Sequence, residues 1–287
     1  MKLTEINIRD PFVLTHDGKY YLYGTRGPTC WGPADGFDVY VSEDMENWSE
    51  PHVCFRNDGS FWADRNYWAP EVYLYRNSFY MFASFKSDSR RRGTAILRSD
   101  SPVGPFSPHS EGCITPAEWE CLDGTFYLSP EGRPYMIFCH EWVQAGDGEI
   151  CAIELTADLK APAGEPFLLF RASEASWSKT MHHSSGISGC VTDGPFMWRC
   201  DDGSLLCLWA GFSEGGYTEG IAISDNGDVT GRFTQLEPLF KDDGGHGMVF
   251  RDLGGRLWLT LHSPNEHLLE RPIFHRIEDI GGKLVRK

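Results

Sequence analysis

The sequence lacks the features of a membrane protein or a nucleic-acid-binding protein. No apolar stretch approaches the length needed to cross a bilayer, so we expect no membrane partner. Lys and Arg number 26 against 41 Asp and Glu, and the formal net charge of −15 argues against nucleic acid as a ligand. The only basic cluster, residues 90–92, is interpreted as a solvated turn between strands. The first β-prone segment begins close to Met1 and leaves no room for a signal peptide, which predicts a cytoplasmic protein.

Cysteine pairs and long amphipathic segments are also missing. The nine cysteines are odd in number and form no C-x-x-C pair, so neither a zinc site nor a dense disulfide framework is expected. No long segment has a 3.6-residue apolar period, and no linker or low-complexity tract divides the chain. These absences favour an all-β protein with one domain over residues 1–287.

What the sequence does contain is a hairpin that recurs five times. An acidic residue or a histidine opens the first strand each time, at Asp10, Glu71, Asp123, Asp193 and His246. A turn, an apolar or aromatic return strand and a third β-prone run follow in every copy. The units recur at intervals of roughly 50 to 70 residues, a spacing typical of propeller blades. The sequence therefore predicts a single-domain, five-bladed β-propeller.

In a propeller the first strand of each blade lines the central channel, so the five opening residues are expected to form a ring at one mouth of it. Carboxylates that converge on one pocket repel one another, so some should stay ionised while at least one is protonated near neutral pH. Aromatic residues make up 14% of the chain and can stack on sugar rings. The candidates near this mouth are Trp31, Trp68, Trp142 and Phe212.

Five motifs, one per blade and in order along the chain, carry a resemblance to a known family. They are Ile8–Phe12, Tyr67–Val72, Leu122–Phe126, Thr192–Phe196 and Gly244–Met248. Together they resemble glycoside hydrolase family 43, five-bladed propeller enzymes that act mainly on arabinose- and xylose-containing glycans. The resemblance covers essentially the whole chain. It implies an oligosaccharide substrate and an inverting mechanism that requires no cofactor.

The resemblance also implies roles for individual residues. In an inverting glycosidase, a carboxylate deprotonates a water while an opposing carboxylic acid protonates the departing oxygen. By position, Asp10 is expected to be the base, held ionised beside Arg9, and Asp123 to orient the acid and raise its pKa. Glu71 is expected to help build the sugar pocket. Arg9 is a further candidate for a substrate contact. His262 is interpreted either as a substrate contact or as a strand-end residue that is hydrogen-bonded within the rim.

His246 resembles the histidine that in many family members faces a central Ca²⁺ or Na⁺, often through water. A hard cation prefers oxygen ligands, so one histidine does not specify the metal, and water alone is the alternative. A structural ion in the channel is therefore an expectation from the resemblance only.

The fourth motif departs from the family pattern, because Asp193 stands where the family usually has Glu before Gly-Pro. The aspartate carboxyl is one methylene shorter, a retreat of about 1.5 Å, and proton transfer tolerates little misplacement. Asp193 is the expected acid, and Glu141 on the same rim is the alternative.

The leading functional hypothesis is an exo-acting α-L-arabinofuranosidase or β-xylosidase that works on small oligosaccharides. An endo-arabinanase would differ in whether loops such as residues 27–33 close one end of the cleft. A glycosidase for another sugar and a propeller that binds carbohydrate without catalysis are further alternatives. Residues 177–189, rich in Ser, Gly and His, form either a plain surface loop or one that brings His182 or His183 to the substrate. The sequence leaves the oligomeric state open.

Overall fold

Short β-prone runs separated by turn residues fold into five four-stranded antiparallel sheets in the computed structural model, which describes residues 1–287. Each sheet is built from one continuous stretch of chain, with its strands in sequence order. These sheets are the blades of a five-bladed β-propeller, as the sequence predicts.

The strands follow one another blade by blade. Blade 1 comprises β1 (Ile8–His16), β2 (Lys19–Arg26), β3 (Gly36–Ser42) and β4 (His52–Arg56), and blade 2 comprises β5 (Arg65–Tyr75), β6 (Ser78–Ser87), β7 (Arg90–Ser99) and β8 (Ser107–Cys113). Blade 3 comprises β9 (Cys121–Leu128), β10 (Pro134–His140), β11 (Glu149–Glu154) and β12 (Phe167–Arg171), and is followed by a small hairpin of β13 (Met181–His182) and β14 (Ser188–Gly189). Blade 4 comprises β15 (Asp193–Arg199), β16 (Leu205–Ser213), β17 (Gly216–Ser224) and β18 (Phe233–Gln235). Blade 5 comprises β19 (Gly245–Arg251), β20 (Leu257–Ser263), β21 (Arg271–Asp279) and β22 (Leu284–Arg286).

Helical structure is confined to single turns. One α-helical turn, α1 (Trp142–Ala145), follows β10, and 3-10 turns occupy Leu3–Glu5, Gly27–Thr29 and Ala172–Glu174. None of these helices has the length and apolar character needed to span a membrane.

Two-residue turns close the first hairpins of blades 1 and 2. Asp17 and Gly18 join β1 to β2, and Arg76 and Asn77 join β5 to β6. All four have positive φ, between 46° and 72°, as a type I′ turn requires. The twist of this turn matches that of the paired strands, so local sequence and sheet geometry agree.

The ring is closed by packing between blades 5 and 1, and no strand is shared between them. The side chain of Asn7 donates to the carbonyl oxygen of Glu270 at 2.9 Å, and Thr15 Oγ1 donates to that of Arg251 at 2.8 Å. The largest core cluster runs through this junction, since it joins residues of β1 with residues of β19 and β20. Long-range contacts therefore hold the first strand beside the last blade.

Every first strand carries a bulge near its start, and the bulges decide which side chains face the channel mouth. The register breaks after Arg9, Trp68, Leu122, Asp193 and Gly245. The residue after each break has positive φ: Asp10 (54°), Ala69 (45°), Asp123 (57°), Gly194 (48°) and His246 (55°). Residues other than Gly, Asn and Asp seldom adopt this conformation, so the bulges need support from outside their own strand.

Side chains of the preceding blade supply this support by accepting backbone N–H groups of the bulges. Thr25 Oγ1 in blade 1 accepts from Ala69 in blade 2 at 2.7 Å. Ser84 Oγ in blade 2 accepts from Asp123 in blade 3 at 2.8 Å. The geometry of the mouth therefore depends on how neighbouring blades meet.

Candidate active site

At each bulge, side chains at two successive positions of the strand stand around the channel mouth. The five residues of the predicted ring are therefore not at equivalent positions. Asp10, Asp123 and His246 stand at equivalent bulge positions. Asp193 stands one residue before Gly194, the bulge residue of its strand. Glu71 stands two residues after Ala69, the bulge residue of its own strand. The five motifs look alike in sequence, but the extra residue of a bulge changes which side chain reaches the mouth.

Asp10 is held as a carboxylate by its neighbours. Thr25 Oγ1 donates to Asp10 Oδ2 at 2.6 Å, and His246 Nδ1 lies 3.1 Å from Asp10 Oδ1. Burial favours the neutral acid, but His246, Arg9 and the Thr25 hydroxyl outweigh it, so the pKa of Asp10 lies below its ordinary value. An ionised carboxylate in the pocket wall is suited to accept a proton.

His262 supports Asp10 from beneath and is fully buried. Its Nδ1 accepts the backbone N–H of Asp10 at 3.1 Å, so we place the ring proton on Nε2, which donates to Asn265 Oδ1 at 3.1 Å. Burial, with Arg9 nearby, lowers the pKa of His262 to about 3. The ring is therefore neutral, and its 3.5 Å approach to Asp10 Oδ1 is no ion pair. Of the two interpretations of His262, these contacts favour the strand-end residue hydrogen-bonded within the rim, where the ring positions Asp10.

His246 links the acidic groups at the centre of the mouth. Its Nδ1 lies 3.1 Å from Asp10 Oδ1 and 3.8 Å from Asp123 Oδ2. A Cβ added at Gly194 would lie 2.5 Å from the His246 ring, so the imidazole rests directly on that glycine. Glu219 Oε2 of β17 accepts the backbone N–H that follows His246 at 2.9 Å and holds this bulge in place.

Asp123 and Asp193 have pKa values far from that of Asp10. Burial and the charge of Asp10 raise the pKa of Asp123 to about 7, and the backbone N–H of Gly194 donates to its Oδ2 at 3.1 Å. Burial and the charge of Asp123 raise the pKa of Asp193 to about 7, and Tyr217 donates to its Oδ2 at 3.0 Å. One carboxyl is therefore ionised and two titrate near neutral pH, a separation that suits base and acid roles.

The alternative acid, Glu141, is engaged with another side chain. Its Oε2 accepts a hydrogen bond from the guanidinium of Arg92, which is 7% exposed and lies 4.8 Å over the ring of Trp68. This charge-assisted hydrogen bond holds the Glu141 carboxyl against the buried guanidinium of Arg92. The geometry favours Asp193 over Glu141 as the acid.

Trp31, Trp68 and Arg9 form one wall of the mouth. Trp31 is 60% exposed and meets Trp68 edge-on at 5.4 Å between ring centroids, and the Arg9 guanidinium lies 5.5 Å over the Trp31 ring. Trp68 Nε1 donates to the carbonyl oxygen of Cys30 at 2.7 Å. This bond ties the loop at residues 27–33 to blade 2 and fixes Trp31 over the site.

The mouth divides into two connected pockets. Asp10, Asp123 and His246 line the inner pocket, and Glu141, Trp142 and Phe212 line an outer pocket of about 500 Å³. Both pockets are lined by Arg9, Trp31, Trp68, Leu122, Asp193 and Tyr217. The predicted acid therefore stands where the two pockets meet.

Glu71 lies deeper in the channel and lines neither pocket. Tyr73 donates a hydrogen bond to its carboxyl, and the Tyr73 hydroxyl lies 2.7 Å from Thr125 Oγ1. Burial raises the pKa of Glu71 to about 8, so it is neutral at pH 7. The structure therefore does not place Glu71 in the sugar pocket, because the bulge at Ala69 turns the following residues into the channel.

The residues around His246 do not form a direct ligand set for a metal ion. No three His, Cys, Asp or Glu side chains converge closely enough to hold one. Ca²⁺ takes about six to eight oxygen ligands, and His246 directs Nδ1 at Asp10. An ion held through water stays a prediction from the resemblance, and no chemical step is derived from it.

Three residues of the site escaped the sequence analysis. Tyr217 comes from the third strand of its blade, Thr25 from a second strand, and Arg92 from the cluster interpreted as a solvated turn. None lies in one of the five motifs, and each reaches the mouth only because neighbouring strands and blades pack together. The run of three arginines was the one available signal for Arg92.

The family model for glycosyl hydrolases family 43 matches residues 4–277. The chain belongs to this family. The structure superimposes on that of an endo-arabinase from Bacteroides thetaiotaomicron with a TM-score of 0.92 and 42% sequence identity, covering 99% of this chain and 98% of that one.

A second relative of the family 43 chain is an extracellular exo-α-(1→5)-L-arabinofuranosidase of Cellvibrio japonicus. It is 23% identical over 276 residues, which cover 90% of this chain and 74% of the relative. A thermostable family 43 glycoside hydrolase has a TM-score of 0.83 at 24% identity, over 98% of this chain and 93% of that one, which shows the shared fold. Family membership makes this protein a glycoside hydrolase with a glycan substrate.

Proposed function

We propose that the protein hydrolyses terminal α-L-arabinofuranosyl linkages with inversion, using Asp10 as base and Asp193 as acid. The observation that carries this proposal is the separation of their pKa values within one mouth. The pKa of Asp10 is held below its ordinary value, whereas that of Asp193 is raised to about 7. Near neutral pH the site thus offers a proton acceptor and a proton donor together.

In the proposed reaction, Asp10 removes a proton from a water that attacks the anomeric carbon. Asp193 gives its proton to the glycosidic oxygen as the bond to the leaving sugar breaks, so charge and protons balance. Asp123 keeps the pKa of Asp193 high through its charge, and its own Oδ2 is fixed by Gly194. Tyr217 orients Asp193 by donating to Oδ2, which leaves Oδ1 to carry the transferred proton.

Two observations support arabinofuranosyl specificity and exo action. Two of the relatives described above are named as an endo-arabinase and an exo-α-(1→5)-L-arabinofuranosidase, and the second name supports exo action. The loop at residues 27–33 is tied down by the bond between Trp68 and Cys30, so Trp31 covers one side of the inner pocket. A covered inner pocket suits a chain end better than the middle of a polymer.

Endo action on arabinan is the second candidate. It is favoured by the 42% identical endo-arabinase structure and by the wide outer pocket, which has room for further sugar units. A β-xylosidase, another glycosidase and a non-catalytic sugar-binding propeller remain weaker candidates. The family match supports hydrolysis over binding alone.

The test is hydrolysis of aryl α-L-arabinofuranoside, β-D-xyloside and β-D-galactofuranoside by wild type and Asp10→Asn. We expect turnover of the arabinofuranoside only, with a loss of roughly 10²- to 10⁴-fold in the variant. Proton NMR should show β-L-arabinofuranose as the first product, as inversion requires. Equal turnover by the variant would remove Asp10 as the base, and an α product would exclude inversion.

Exo and endo action are separated by the products from linear arabinan. Release of arabinose alone from the start supports the exo proposal, whereas an early ladder of oligosaccharides supports the endo alternative. The cytoplasmic location also stays a proposal, and fractionation of cells that express the natural gene would test it.

A further inference from the structure

The arrangement of the two pockets assigns a side of the scissile bond to each. Asp10 lines the inner pocket only, whereas Asp193 lines both. A base and an acid in an inverting glycosidase act on opposite sides of the scissile bond, with the acid next to the leaving group. The sugar that is attacked therefore sits in the inner pocket, and the leaving sugar extends past Asp193 into the outer pocket.

One wall of the outer pocket is built from two small elements outside the blades. The hairpin of β13 and β14 packs closely against the end of α1. A Cβ on Gly189 would lie 2.0 Å from the carbonyl oxygen of Gly146, which shows how near the two elements are. The same Cβ would lie 3.3 Å from Trp142 Cε3. At the hairpin tip, the His183 ring meets Trp142 edge-on at 6.0 Å between centroids. Trp142 and His183 thus form one surface of the outer pocket.

The hydrogen bonds of His183 leave a donor available on this surface. Its Nδ1 accepts the backbone N–H of Ser185 at 3.2 Å, so we place the ring proton on Nε2. Nε2 has no hydrogen-bond partner within the protein, and the residue is exposed. Glu141 adds carboxylate oxygens to the same pocket. A flat aromatic ring, an N–H donor and an acceptor are what a sugar with a C–H face and hydroxyl groups needs.

We propose that α1 and the hairpin at residues 181–189 bind the sugar on the leaving-group side of the scissile bond. Trp142 stacks against this sugar, and His183 donates a hydrogen bond from Nε2 to one of its hydroxyls. The inference rests on the proposed function and adds to it the residues that select an oligosaccharide over a simple glycoside. It resolves the two interpretations of segment 177–189 in favour of a substrate contact.

The test compares His183→Ala with wild type on α-(1→5)-L-arabinotriose and on 4-nitrophenyl α-L-arabinofuranoside, whose leaving group has no hydroxyl for His183. We expect kcat/KM to fall roughly tenfold on the trisaccharide, mostly through KM, and to change less than about twofold on the aryl substrate. Trp142→Phe, which keeps the packing against Gly189, should lower kcat/KM on the trisaccharide by a smaller factor. His52→Ala is the matched control, because this exposed histidine on β4 lines neither pocket.

Binding gives a second readout without turnover. In the Asp10→Asn background, His183→Ala should weaken the affinity for arabinotriose roughly tenfold. The affinity for arabinose, which needs only the inner pocket, should stay unchanged. Equal effects on both ligands, or none on either, would overturn the assignment. Failure of the wild type to hydrolyse or bind any arabinosyl ligand would instead reject the proposed function, so the two failures are distinguishable.

Discussion

The Tyr217 hydroxyl lies 3.0 Å from Asp193 Oδ2 and donates a hydrogen bond to it across the strands of blade 4. Tyr217 is 1% exposed and stacks on His262 at 5.4 Å, so its hydroxyl has little freedom. The aspartate at this position is shorter than the family's usual glutamate. The fixed hydroxyl gives the shorter side chain a defined orientation at the junction of the two pockets.

Removal of this hydroxyl should change both the rate and its pH dependence. A hydrogen bond to the ionised form of Asp193 lowers its pKa, so Tyr217→Phe should raise that pKa and move the alkaline limb of kcat/KM upward from about pH 7. The loss of orientation should lower kcat by roughly tenfold. A pH–rate profile of both proteins measures the two effects, and a limb that stays in place would contradict the assignment of Asp193 as acid.

Replacement of Asp123 should move the same limb in the opposite direction. The negative charge of Asp123 raises the pKa of Asp193, so Asp123→Asn should let Asp193 ionise at lower pH. The alkaline limb should then lie below that of the wild type. Opposite shifts in Tyr217→Phe and Asp123→Asn, measured in one buffer series, would be difficult to explain by general damage to the site.

Leaving-group dependence should separate Asp193 from Glu141. Asp193→Ala should lower turnover of alkyl glycosides and oligosaccharides by roughly 10²-fold or more, with a much smaller loss on dinitrophenyl glycosides, which need no protonation. Glu141→Ala is the control on the same rim. It removes an acceptor from the outer pocket and should weaken the binding of oligosaccharides, but it should affect alkyl and dinitrophenyl glycosides alike, since neither has a second sugar. If Glu141→Ala shows the stronger dependence, the acid comes from blade 3.

Gly194 has φ of +48°, and a Cβ there would lie 2.5 Å from the His246 ring. Gly194→Ala should displace His246 from Asp10 and reduce kcat by roughly 10²-fold, because small misplacements of catalytic groups are costly. Gly132→Ala, at a surface turn with φ of +79° and no atoms near its Cβ, is a control for backbone strain alone. Comparable losses of activity in both variants would remove the contact with His246 as the cause.

Stability should depend on pH through Glu71. Burial raises the folded-state pKa of Glu71 to about 8, whereas the unfolded chain releases this proton near pH 4.5. Stability contributed by the neutral form is therefore complete at low pH and declines as pH rises from about 4.5 to 8. Glu71→Gln removes this dependence, so its melting temperature relative to wild type should rise between pH 5 and 8. An unchanged difference would show that Glu71 is ionised in the folded protein.

The sequence predicted the five blades well because each hairpin is encoded locally. Turn residues such as Asp17 and Gly18 fix two-residue connections, and apolar alternation fixes the faces of the strands. It also predicted Asp10, Asp123 and Asp193 near one another, since topology alone brings the first strands to one channel. These features need no knowledge of how blades meet.

Other parts of the site were not accessible in this way. Glu71 was expected at the sugar pocket, but a bulge turns it into the channel. For His262 the sequence left open a substrate contact or a hydrogen bond within the rim, and the structure shows that it accepts the backbone N–H of Asp10. Arg92, interpreted as part of a solvated turn, instead pairs with Glu141 beneath Trp68. A one-residue change of register decides such placements, and sequence patterns do not carry that precision.

The sequence by itself determined the all-β propeller, its acidic mouth and the resemblance to a glycosidase family, because these follow from repeated local patterns and from residue types. Tertiary structure alone decided which carboxyl is ionised. Asp10, Asp123 and Asp193 are the same residue type, yet contacts with Thr25 and His246 lower the pKa of one while burial raises the other two. Charge states depend on distances between blades, and those distances exist only in the closed ring.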